Sequence, residues 1–226
     1  RPPQRQANRE NDGEMSHRMT PSSALPPRTV MAFRRDLARW FLRRRRSFPW
    51  RTNRTPYRVW ISELMLQQTR ADTVVPYYRR FMKRFPSLRA LARAPRTDVL
   101  KLWEGLGYYA RARNAQDAAK FLVEHFRGEF PRTREGLLSL PGIGAYTAAA
   151  IGSLALGLDL AVVDGNVIRV LSRVMAYKGD GSSSAGRKTL QRWADSFLIP
   201  GRAGLSNESV MELGALVCTP RNPACR

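Results

Sequence analysis

Leu140-Pro141-Gly142-Ile143-Gly144-Ala145-Tyr146-Thr147 reads as a tight connection between two helices. Gly142 and Gly144 remove the Cβ penalty where the chain must turn sharply. Tyr146 opens a helix expected to run to about residue 156. The first N–H groups of such a helix have no intrahelical partner, and they form an anion site that suits a DNA phosphate. Further on, Val163-Asp164-Gly165-Asn166-Val167 sets a lone carboxylate at another helix start. A phosphate-gripping hairpin ahead of a positioned carboxylate points to chemistry on DNA rather than to binding alone.

The composition agrees. Thirty-nine Lys and Arg against 18 Asp and Glu give a formal charge of +21 over 226 residues. Nucleic acid is the first partner such a charge implies, and an anionic membrane surface the second. A hydrophobic fraction of 43% is ordinary for a chain that buries a core. The length allows one large domain or two small ones. No apolar run approaches the ~20 residues of a membrane span. Two cysteines exclude a disulfide-rich scaffold. His17 and His125 are the only histidines, and no His-x-Glu joins a Cys-x-x-Cys, which excludes zinc deaminase chemistry.

From Thr29 onward the pattern is helical. Val30, Phe33, Leu37, Trp40 and Phe41 recur at helical spacing until the basic run Arg43 to Arg46 and the break at Pro49. That run is read as part of a phosphate-facing surface, with a solvated face as the alternative. Further helices are expected at about 57–69, 73–84, 97–104, 109–126, 134–139, 145–156, 165–177, 185–198 and 206–217, punctuated by Pro and Gly. No alternating strand pattern appears, so the fold class is all-α. Residues 1–27, rich in Pro, Arg, Asn and Ser, are expected to be disordered. Their arginines suit a transit peptide, whereas Glu10, Asp12 and Glu14 count against one. Gly181-Ser182-Ser183-Ser184-Ala185-Gly186-Arg187-Lys188-Thr189 imitates a phosphate-binding P-loop. Arg187 stands where that motif needs Lys and no strand precedes it, so it is rejected.

Four segments carry a family resemblance. They are Trp60-Ile61-Ser62-Glu63-Leu64-Met65-Leu66-Gln67-Gln68-Thr69, Gly105-Leu106-Gly107-Tyr108-Tyr109-Ala110-Arg111-Ala112-Arg113-Asn114, the hairpin at 140–147, and the segment around Asp164. In this order and spacing they resemble the adenine DNA glycosylase (MutY) family of the helix-hairpin-helix glycosylase superfamily, over about residues 30 to 226. The resemblance implies a two-lobed helix-hairpin-helix fold with the active site between the lobes. A helical barrel over 47–158 would form one lobe, and 28–46 with 159–226 the other. It also implies removal of adenine mispaired with 8-oxoguanine or guanine, by a monomer acting on double-stranded DNA. The expected location is inside the cell with the DNA: bacterial cytoplasm, nucleus or mitochondrion.

The residues make physical sense of that activity. Cleaving an N-glycosidic bond needs an acid for the leaving base and a negative charge near the sugar cation. Glu63, mid-helix among apolar neighbours, is expected to face a dry pocket that raises its pKa and keeps it fit to protonate adenine. Asp164 is expected to stabilise the sugar cation, with simple helix capping as the alternative. Tyr146 stands where relatives that also cut the strand, such as endonuclease III, carry a nucleophilic Lys. No lysine lies between Lys120 and Lys178, so the expected enzyme is monofunctional and uses water as the final nucleophile. The resemblance gives Asn166 the role of orienting the active-site groups.

An adenine inside a duplex must be flipped out and the gap propped open by inserted side chains. Gln67, Gln68 and Tyr108 match the family's insertion residues, and Arg58 matches a basic slot on its pocket-forming helix. Gly142, Gly144 and Arg111 are expected on the DNA backbone, and Arg113 could join them, with plain solvated charge as the alternative for both arginines. Cys218 and Cys225 match the first half of the family's Cys-x6-Cys-x2-Cys-x5-Cys set, implying two of the four ligands of a [4Fe–4S] cluster. The family's further domain that recognises 8-oxoguanine has no counterpart in this sequence. A thymine mismatch glycosylase of the same superfamily is the first rival reading. A helix-hairpin-helix module that binds DNA without catalysis is the second, and it leaves Glu63 and Asp164 unexplained. A membrane-surface protein accounts only for the charge.

Overall fold

The computed structural model describes residues 25–225. The segment expected to be disordered, 1–27, lies outside the described residues as far as residue 24. At its end the expectation fails, because Leu25 packs on a hydrophobic cluster and a helix begins at Pro27.

Eleven α-helices follow in order: α1 Pro27–Arg44, α2 Pro56–Leu66, α3 Ala71–Arg84, α4 Leu88–Arg93, α5 Arg96–Trp103, α6 Ala110–His125, α7 Arg134–Leu138, α8 Ala145–Ala155, α9 Gly165–Val174, α10 Ser184–Ser196 and α11 Ala203–Leu216. A 3-10 turn, Pro49–Arg51, precedes α2. No strand occurs among the described residues. None of these helices is long and apolar enough to cross a membrane.

Local chemistry explains the helix starts. The Thr55 hydroxyl accepts from the Arg58 N–H, and Pro56 fills the first helical position of α2. Ser87, Thr133 and Ser183 cap α4, α7 and α10 in the same way. The six-residue α4 escapes sequence reading because it is too short to show a helical period. α2 stops at Leu66, three residues before its expected end, because Gln68 takes a left-handed conformation (φ +58°) that no helix continues.

Buried apolar side chains fall into two clusters. The first runs from Phe48 to Ile151, with Trp60, Phe81 and Trp103 fully enclosed, each burial worth roughly 1.5–3 kcal/mol. The second gathers Leu37 with Ala161, Val170, Leu171, Leu190 and Val210, edged by Val30, Phe33 and Trp40 of α1. The chain thus starts in the second cluster, leaves to build the first, and returns after residue 158. Helix α11 joins the two, packing on α1 and α9 and also on α8. The fold places a cleft where they meet.

Candidate active site

One face of α2 forms the floor of that cleft. Val59, Ser62, Glu63 and Leu66 follow helical spacing, and all four line a cavity of about 890 Å³. Tyr146 reaches it from the first turn of α8, Asp164 and Asn166 from the start of α9, and Glu208 and Glu212 from α11. The four residues expected to be catalytic therefore share one cavity, although 83 positions separate Tyr146 from Glu63.

Glu63 is buried, with 6% of its surface exposed. Desolvation pushes its pKa up to about 7, against a hydrogen bond from Tyr146, and nearby Asp164 and Glu208 push the same way. The Tyr146 hydroxyl donates to Glu63 Oε2 at 2.6 Å. Burial and the neighbouring carboxylates hold that hydroxyl well above the usual phenol range, so it stays a donor. With Oε2 occupied, Oε1 remains to carry a proton.

Asp164 caps α9, its Oδ1 accepting from the Val167 N–H at 2.7 Å. Its Oδ2 accepts from Asn166 Nδ2 at 2.9 Å. Asn166 Oδ1 in turn accepts from Arg169 Nη2 at 2.8 Å, and Arg169 Nε donates to the Cys218 carbonyl at 2.6 Å. A continuous chain of hydrogen bonds therefore links the Asp164 carboxylate to the cysteine segment. The carboxylate that caps α9 also lines the cavity, so the two readings of Asp164 do not exclude each other.

Sequence reasoning missed the ion cluster along one wall. Arg46, assigned to an outer basic surface, turns inward and meets Glu212 through its backbone N–H and through Nε and Nη2, at 2.8 to 3.0 Å. Arg51 bridges Glu208 and Glu212, both contacts at 3.0 Å, and Arg54 holds Glu208 at 2.8 Å. Burial works against the charge of Glu212, but Arg46 and Arg51 win and hold its carboxyl down at about 2. A signal was present in the sequence: Glu208 and Glu212 are four residues apart on an otherwise uncharged helix of an acid-poor chain.

The expected DNA contacts divide. Pro141, Gly142, Gly144 and Ala145 are exposed at the hairpin while Ile143 is buried beneath them, so backbone faces outward. Gly142 has φ +72°, which favours glycine, and an added Cβ would sit 3.2 Å from Asn114 Cβ. Gly144 differs from expectation. It caps α8 at φ −88°, a conformation open to any residue, with space around it. Gln68 and Tyr108 are exposed, Tyr108 at 64%, and Gln67 is half-buried beside Gln68. Both Gln68 (φ +58°) and Tyr108 (φ +49°) sit in left-handed backbone, at a cost of about 1 kcal/mol or more each.

Arg58 and Arg111 sit differently from expectation. Arg58 lies five residues before Glu63 on α2, which turns it away from the cavity floor, and it does not line the cavity. It sits near Tyr78 instead. Arg111 is not free for phosphate: Nη1 donates to the carbonyls of Leu64 and Gln67, both at 2.6 Å, and Nη2 to those of Leu106 (3.2 Å) and Gly107 (3.3 Å). Arg113, two residues on, is exposed.

Cys218 is buried and its sulfur accepts from Arg173 Nη1 at 3.3 Å, while Cys225 is exposed. A [4Fe–4S] cluster takes four thiolates. The sequence holds two cysteines, and the described residues contain no group of three or more His, Cys, Asp or Glu placed to hold a metal. The residues present do not by themselves fit the cluster.

An all-helical protein with an exposed glycine hairpin, beside a cleft that two carboxylates face, has the architecture of the helix-hairpin-helix class. Residues 61–195 match the HhH-GPD superfamily base excision DNA repair protein model, and the chain belongs to that family. Over 205 residues, or 87% of this chain and 40% of the relative, it is 48% identical to an adenine DNA glycosylase of Rattus norvegicus. It is 46% identical to that of Homo sapiens, covering 87% of this chain and 38% of the relative. The chain thus spans about two fifths of the length of these relatives. The fold is also similar to a thermostable thymine-DNA glycosylase (TM-score 0.79, 30% identity, 88% of this chain and 91% of that one). A non-covalent endonuclease III–DNA complex gives a TM-score of 0.72 at 22% identity, covering 89% of this chain and 92% of that one.

Proposed function

We propose that this chain is a monofunctional adenine DNA glycosylase of base excision repair. It would hydrolyse the N-glycosidic bond of adenine opposite 8-oxoguanine or guanine in double-stranded DNA, inside the cell. The observation that carries the reading is the buried Glu63, hydrogen-bonded by Tyr146, in the cavity that also holds Asp164. The two hydrophobic clusters would act as lobes, 47–158 and 28–46 with 159–226, gripping DNA across the cleft.

The flipped adenine enters the cavity and Glu63 gives its proton to N7 of the base. The C1′–N9 bond breaks, its electron pair leaves with the base, and the sugar becomes an oxocarbenium ion. The carboxylate of Asp164, held by Val167 N–H and Asn166, stabilises that cation. Water adds to C1′ and its proton passes to the Glu63 carboxylate, which restores the acid. Tyr146 holds Glu63 and has no amine with which to form a Schiff base, so the strand stays intact. Gln67, Gln68 and Tyr108 would enter the duplex, and the hairpin at Gly142–Gly144 would take a phosphate. In a longer chain supplying two further thiolates, Cys218 and Cys225 would bind a [4Fe–4S] cluster.

A second reading rests on the likeness to the thymine-DNA glycosylase along most of both chains. Single-turnover excision on three duplexes separates the two: A opposite 8-oxoguanine, A opposite G, and T opposite G. The proposal expects adenine release and intact strands. Faster release of thymine overturns it, and release of nothing restores the binding-module reading.

A further inference from the structure

Among the described residues, Arg111 is a cation without a carboxylate. Its Nε is buried with no hydrogen-bond partner, and its guanidinium is otherwise spent on backbone carbonyls. Desolvation pulls its pKa down, so charge alone does not account for its place. Geometry does. One side of the planar fork takes the last carbonyls of α2, where the helix dipole is negative. The other takes the carbonyls of Leu106 and Gly107. Each carbonyl group leads directly into a left-handed residue, Gln68 in one turn and Tyr108 in the other. The guanidinium carbon also lies 5.4 Å from the centre of the Tyr108 ring and 5.6 Å from that of Trp103.

We propose that Arg111 is a positioning residue. It fixes the Gln67–Gln68 turn against the Tyr108 turn, so that both enter an opened duplex together. This rests on the base-flipping reading given above. A point charge cannot replace it, because the task needs two separated pairs of N–H donors in one plane.

The test compares the parent chain with Arg111→Lys and Arg111→Met. Each is given a duplex with adenine opposite guanine and a duplex with an unpaired, bulged adenine. A fluorescent 2-aminopurine beside the target reports flipping. Both variants should melt near the parent and lose roughly 10- to 100-fold in single-turnover excision on the mispair, the scale of a small misplacement. The flipping signal should fall with the rate, while the bulged adenine should lose less than about three-fold, because it needs little prising. The salt slope of duplex binding should stay at the parent value.

Equal losses on both substrates would mark Arg111 as a packing residue, and so would unfolding of both variants. Restoration by Lys would show that charge suffices. A salt slope shallower by about 0.9 would make Arg111 a phosphate contact after all. Each of these overturns the proposal. A parent chain that excises but does not flip overturns it as well. One that neither flips nor excises overturns the glycosylase reading beneath it.

Discussion

At the scale of single residues, Glu63 carries the sharpest consequences. A general acid works while protonated, so excision should fall as pH rises through about 7, the value to which burial has pushed this carboxyl. Glu63→Gln keeps the shape and the bond from Tyr146 but has no proton to give. It should lose at least the ~10²–10⁴-fold typical of general acid catalysis while mispair binding holds. The same shift acts on stability with a definite sign. Because the folded pKa lies above the unfolded 4.5, the native state holds the extra proton between pH 4.5 and about 7 and loses stability as pH rises through that window. Glu63→Gln should therefore melt higher than the parent at pH 8 and close to it at pH 4.5, by an amount on the order of 1–3 kcal/mol at the upper pH. A variant that excises within a few-fold of the parent removes Glu63 from the mechanism. Asp164→Asn should cost roughly 10²–10³-fold in excision, as for one positioned electrostatic group. Some loss of melting temperature should accompany it, because the residue also caps α9. A proportional fall in binding would leave only the structural role.

At the scale of elements, the wall between α11 and the start of α2 is the part of the site that sequence reading did not reach. The hairpin at 140–147 and the cap at Asp164 were legible because their signals are local, Pro and Gly at a turn and an acid before a helix, whereas the α2 motif with Glu63 was legible only through the family resemblance. Arg46, Arg51, Glu208 and Glu212 were not, because their partners lie more than 150 positions away and a basic run beside Pro49 looks like surface. Arg111 misled for a related reason. Its charge suggested phosphate, while the carbonyls it binds carry no side-chain signature. The ion cluster makes its own prediction. Glu212 has a folded pKa near 2, so its contribution is present above the unfolded 4.5 and is lost as pH falls toward 2. Glu212→Gln leaves Arg46 and Arg51 short of a buried counter-charge and should destabilise by about 3 kcal/mol at pH 7. Urea unfolding should show that difference shrinking by pH 3. An unchanged stability at pH 7 would mean that the cluster is no more than a solvated pair.

At the scale of the whole molecule, charge and architecture act together. A net +21 with a hairpin exposing backbone N–H groups implies a phosphate-dominated grip on undamaged duplex. The logarithm of the affinity should then fall with the logarithm of salt at about −0.9 per phosphate contact. Binding measured between low and moderate salt checks this, and a slope near zero would exclude such an interface. The cavity itself is assembled from widely separated pieces: Arg46 to Asp72, Tyr146 and Leu154, Asp164 to Arg169, and Glu208 to Arg221. The first hydrophobic cluster is complete by Ile151, but the wall of the cavity waits for α11. A chain ending before α11 would keep every buried residue of the first cluster and lose Glu208 and Glu212 from the wall of the cavity, so the cavity depends on the last helix in a way that the hairpin and Glu63 do not.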